Sequence, residues 1–126
     1  MTETCAEGDV KLGQEGIPFI IWNGNWSPIC GHFFWDNNDG ANAFCRKLGL
    51  TGGSVHKESG TYSVDAIEIG SCRSGETIDS CTGGHNDYKT NRWCRAGSQV
   101  KMTISCDGIM QGSLKTSCKG KVLCFT

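Results

Sequence analysis

Proline is nearly absent from this chain, with two residues in 126 against 18 glycines. The backbone therefore turns often, through flexible points rather than stiff ones. No apolar run approaches the roughly 20 residues that a membrane-spanning helix needs. The longest, residues 17–22, is the length of a strand. An excess of either charge is missing too: 12 Lys and Arg stand against 13 Asp and Glu, for a formal net charge of −1. Acids and bases are interspersed, and no basic stripe exists to neutralise a series of phosphates, so no nucleic-acid partner is expected. The sequence shows no internal repeat and no low-complexity segment.

Cysteine is what the chain has in excess, at nine residues with irregular spacing. That density points to an oxidising compartment and a cross-linked core. Met1-Thr2-Glu3-Thr4-Cys5-Ala6-Glu7 has neither the basic nor the apolar region of a secretion signal. The cysteines outweigh this, and the expectation is an extracellular chain, secreted or the ectodomain of a larger protein, given as a mature form or an excised domain. The length suits one domain with a modest core that gains from disulfides.

Along the chain, Asp9-Val10-Lys11-Leu12 reads as a first strand. Residues 17–22 and 25–30 read as a hairpin joined by Asn23-Gly24, a strong turn signal. Pro18 and Pro28 mark edge or bulge positions. Residues 37–48 predict a helix with Asp36 as N-cap, Asp39 in the first turn, and Arg46 and Lys47 in the last. Ala41, Phe44, Cys45 and Leu48 make its buried stripe, and Gly49 supplies the stop. Residues 51–63 read as a polar loop, residues 64–69 as a short strand, and 83–87 as an exposed loop. Val100, Met102 and Ile104 alternate with polar residues in a half-buried strand ending at Cys106.

These segments, in this order, resemble the scavenger receptor cysteine-rich (SRCR) domain. Glu15 to Cys30, with Asn23-Gly24-Asn25-Trp26, runs in step with that family's opening hairpin. Trp35-Asp36-Asn37-Asn38-Asp39-Gly40-Ala41-Asn42-Ala43-Phe44-Cys45-Arg46-Lys47-Leu48-Gly49 matches its helix motif with one extra residue after Asp39. Glu68-Ile69-Gly70-Ser71-Cys72 to Ser80-Cys81 fits its two-cysteine loop with a one-residue shift. The resemblance covers residues 9–106. It implies an α+β fold, a small curved antiparallel sheet cradling one main helix, with disulfides as part of the core. A lead of residues 1–8 carries Cys5, and residues 107–126 form an extension.

Nine cysteines allow on the order of a thousand pairings. The six-cysteine form of the family implies Cys30–Cys94, Cys45–Cys106 and Cys72–Cys81. The extra bridge of the eight-cysteine form needs a cysteine where Leu50 stands, so that bridge is absent. Of the remaining three, Cys118–Cys124 is the local choice, with Cys5 the odd cysteine. A tie from Cys5 to either tail residue stays open. Many SRCR domains hold a cation between an acidic pair after the first core cysteine, acids before the Cys72 equivalent and an acid near the end. Here Gly31-His32, Glu68 alone and Arg95-Ala96-Gly97 occupy those places, and a hard cation wants several convergent oxygens. No metal or cofactor is expected.

Other chemistry is weaker still. Aligning Gly40 with a calcium loop puts Trp35 and Arg46 where oxygen ligands belong, so helix capping explains Asp36 to Gly40 better. No two cysteines are closer than six positions, which argues against zinc. No nucleophile elbow supports a hydrolase, and no catalytic residue is expected. The family pattern packs Trp35 beside the helix and Trp26 under the sheet. Trp22 and Trp93, with His85 and Asp87 of the exposed loop, are the candidate binding residues, since indoles make good anchors. Asn25-Trp26-Ser27 is a glycosylation sequon, weakened by Pro28. Val122, Leu123 and Phe125 form an apolar cluster that predicts a tail packed back on the domain or on a neighbour. The resemblance thus implies a non-enzymatic recognition or adhesion module for a protein or glycan surface. The alternative is a structural subunit of an extracellular assembly or filament built from such units by self-association.

Overall fold

The computed structural model describes residues 5–81 and 94–107, with the backbone of two further strands near the C-terminus. The architecture is the expected α+β one, with small antiparallel sheets, one main helix and disulfides. Among the described residues the strands divide into three ladders. Strands β1 (Val10–Leu12), β2 (Pro18–Trp22) and β3 (Asn25–Pro28) form the first, in the order β1-β2-β3. Strands β4 (Gly53–Lys57) and β5 (Met102–Cys106) form the second, and β6 (Ser113–Lys115) and β7 (Val122–Cys124) the third. β6 lies beside β1. Among the described residues no helix is long and apolar enough to cross a membrane.

The hairpin closes through Asn23-Gly24, both left-handed at φ 52° and 81°, which suits the twist of the flanking strands. Pro18 opens β2 opposite Leu12, while Pro28 ends the edge strand β3. Helix α1 runs Asp39–Lys47, shorter at its start than residues 37–48. Phe34–Asp36 first form a 3-10 turn, and Asn37 is extended, so Asp36 does not cap the helix. Instead Asn37 Oδ1 accepts the Asp39 N–H at 2.9 Å. The buried stripe contains Ala41, Phe44, Cys45 and Leu48, packed with Val10, Ile20, Ile29, Phe34, Ile67, Ile78, Met102 and Ile104.

Two local readings are corrected. Residues 51–63 are not all loop, because Gly53–Lys57 pair with β5 in the register Val55↔Ile104. Side-chain amides just before and within the helix hold that strand: Asn38 Oδ1 accepts the Val55 N–H at 3.0 Å, and Asn42 Oδ1 the Gly53 N–H at 2.9 Å. Residues 64–69 form no ladder. Ala66, Ile67, Glu68 and Ile69 are buried in succession, Val64 is exposed, and Ile67 and Glu68 make isolated bridges, that of Ile67 parallel to Ile29.

Tyr62, inside the segment read as loop, joins β5 to the residue that follows β3. Its hydroxyl lies 3.1 Å from the Ile29 carbonyl and 3.3 Å from the Met102 carbonyl, and it accepts the Met102 N–H at 3.2 Å. Burial pushes its pKa up to about 12, with the Met102 hydrogen bond pulling the other way. The folded state thus holds this proton more tightly than the unfolded chain. The stability it contributes is full below pH 10 and is lost as pH climbs to about 12. Two pKa units correspond to about 3 kcal/mol. Of the two tyrosines, Tyr62 and Tyr88, Tyr62 should ionise late, together with unfolding. A phenolate absorbance titration that finds both ionising in the ordinary range would contradict its burial.

Candidate functional site

Leaving β3, the chain enters a short loop fixed at both ends. Cys30 bonds to Cys94, and its N–H reaches the Ile67 carbonyl at 2.9 Å. The Gly31 N–H donates to the Val100 carbonyl at 2.9 Å, and the Gly31 carbonyl accepts the Trp35 N–H at 3.0 Å. Residue 31 must be small, because a Cβ there would fall into the Trp35 indole. Lys57 Nζ stands 4.4 Å over the same indole, a cation–π contact between loop and β4.

Between these anchors Phe34 turns into the core, which throws Phe33 outward. Phe33 takes φ 65° and ψ −32°, a conformation that favours glycine, and is 37% exposed. Its ring lies 4.0 Å from that of His32. His32 Nδ1 in turn lies 2.8 Å from Glu68 Oε2, and Glu68 is fully buried at 0% exposure. A buried carboxyl group requires hydrogen-bond partners, and His32 Nδ1 stands within hydrogen-bond distance of it. The loop thus presents an exposed aromatic ring, with the ring of His32 against it and His32 paired to the buried Glu68. Among the described residues no group of three or more His, Cys, Asp or Glu is placed to hold a metal ion.

The other expected site residues fall as follows. Cys30–Cys94, Cys45–Cys106 and Cys72–Cys81 are bonded, the same three pairs that the resemblance implies. Cys5 is itself disulfide-bonded, so its reading as the odd cysteine is corrected. Cys118 lies outside the described residues, and Cys124 is described only by its place in β7 opposite Ser113. By counting, a Cys118–Cys124 bridge is incompatible with a bond from Cys5 to either within one chain. Trp22 is half-buried against the main core. Trp26 lies on the other sheet face, half-buried, with Lys11 Nζ 4.6 Å over its ring and 5.5 Å from that of Phe19. Asn25 is exposed beside the hairpin turn. Trp93, His85 and Asp87 lie outside the described residues.

Sequence reasoning missed Phe33 and the His32–Glu68 pair. The signal for Phe33 was present: of two adjacent phenylalanines beside a core cysteine, one must face out. Nothing local announces a contact across 36 positions.

No family model matches the chain, and no curated protein sequence matches it. Among solved structures it is similar to a crystal structure of the dimeric form of the SRCR domain of mouse MARCO. The TM-score is 0.57 at 24% identity, over 82% of this chain and 93% of that one. At that identity the likeness shows the fold.

Proposed function

We propose that this chain, which has the fold of an SRCR domain, is a non-enzymatic extracellular module for recognition or adhesion that binds a protein or glycan surface. The observation that carries the reading is Phe33. A large aromatic side chain is held exposed, in a backbone conformation costing about 1 kcal/mol or more, on a loop pinned by a disulfide. Glycine would relieve that strain, so retaining Phe makes sense as an anchor for a partner. The bridges Cys30–Cys94, Cys45–Cys106 and Cys72–Cys81 suit an oxidising compartment. Trp22, Trp93, His85 and Asp87 are further proposed contacts, and Asn25 a proposed glycan site.

The test is a binding panel of proteins and glycans probed with the oxidised chain and with Phe33→Gly. The variant should fold with equal or higher stability and lose roughly tenfold or more in affinity for whatever the parent binds. Undiminished binding by Phe33→Gly would remove Phe33 from the site.

A second reading, a structural subunit of an extracellular assembly, draws support from the β6–β7 ladder beside β1 and from the odd number of cysteines. Size exclusion with and without reductant, followed by microscopy for polymers, separates the two. Reductant-sensitive oligomers or fibres favour assembly, and a monomer in both conditions favours the recognition module.

A further inference from the structure

The hairpin tip carries a second feature, independent of the Phe33 loop. Asn23 and Gly24 are both left-handed, so their successive N–H groups point the same way and form a concave, partly positive nest. A carboxylate sits in it. The Asn23 N–H donates to Glu7 Oε2 at 2.8 Å and the Gly24 N–H to Glu7 Oε1 at 2.5 Å, so each oxygen takes one donor. Glu7, Asn23 and Gly24 are all exposed, and nothing lies within 4 Å of a Cβ built at Gly24. The resident side chain comes from the N-terminal lead, and Gly8 joins that lead to β1 at φ 87°.

We infer that the Asn23-Gly24 tip is a carboxylate-binding site, held in the isolated chain by Glu7 and open to a carboxylate of a partner protein when Glu7 is displaced. Three features carry this. The two N–H donors match a carboxylate fork, and charge-assisted bonds of this kind are stronger than neutral ones. Glu7 is solvent-exposed, so its hold is weakened by water and salt, and its advantage over an outside competitor is mainly the effective concentration set by the short lead. The tip also projects from the sheet, which lets an acidic side chain or a free chain terminus approach. The glutamate thus acts as an intramolecular competitor that sets the threshold for binding.

Backbone amide NMR on the full oxidised chain tests this, with sodium acetate as probe and sodium chloride at equal ionic strength as control. In Glu7→Ala the Asn23 and Gly24 amide resonances should shift saturably with acetate, at concentrations roughly tenfold below those needed for the parent chain. Glu7→Gln, which keeps the side-chain length, is measured in parallel in case Glu7→Ala rearranges the hairpin, and should respond as Glu7→Ala does. Two short peptides then separate the sources: one with an internal glutamate and blocked ends, one with a free terminal carboxylate and no acidic side chain. Saturable shifts from either support the site and name its ligand. The inference fails if neither variant responds to acetate beyond the chloride control, or if the parent responds as strongly as both.

Discussion

Replacing Cys45 and Cys106 together by alanine is expected to lower the unfolding free energy more than removing the short Cys72–Cys81 bridge. Cys45 is fully buried on α1, and Cys106 ends β5, so the bridge ties the helix to the second ladder across 61 positions. Loop-closure entropy for a span of that size is worth about 4 kcal/mol, against about 3 kcal/mol for a span near ten residues. Cys72–Cys81, at a separation of 9, is the short case. A domain of this size holds only about 5–15 kcal/mol in total, so the long bridge is a large share. Urea unfolding of the Cys45/Cys106 and Cys72/Cys81 double alanine variants should rank them in that order. Equal losses would mean that the bridges act through local packing rather than by restraining the unfolded chain.

The second large effect is expected at His32. Glu68 is fully buried, and its Oε2 lies 2.8 Å from His32 Nδ1. His32→Ala removes one hydrogen-bond partner of that buried acid while leaving the acid in place, and a buried polar group that loses a partner costs about 1–3 kcal/mol. Glu68→Gln in the same background removes the charge and should restore part of the loss. The sign of that restoration identifies the cause, since a packing defect at residue 32 would not be relieved by neutralising residue 68. The same pair bears on metal dependence. His32 occupies the place where the resemblance puts an acidic ligand. Calcium or a chelator should therefore shift the melting temperature little, because a ligand stabilises only as far as it binds. A large calcium-dependent rise, or a His32→Ala variant as stable as its parent, would contradict this account.

How much was legible in the sequence follows the range of the interactions. The hairpin was readable because Asn23-Gly24 encodes its own turn, and α1 because its stripe repeats at helical spacing. The strand ending at Cys106 was readable from alternation. Strand β4 was not, since Val55 is its only large apolar residue and its order comes from Asn38, Asn42 and a partner strand some fifty positions on. The helix start moved because Phe34–Asp36 form a turn of their own. At the site, Tyr62, Phe33 and the His32–Glu68 pair were missed for a related reason. Each owes its role to a contact or burial created by the fold.

The most direct test of the central reading is the affinity of the oxidised chain for a partner taken from the protein and glycan panel, measured in calcium, in chelator and after reduction. A rigid, disulfide-locked recognition surface predicts the same affinity with calcium and with chelator, a loss of roughly tenfold or more in Phe33→Gly, and no binding once the core bridges are reduced. Binding that vanishes in chelator, or that survives both reduction and the loss of Phe33, would contradict it.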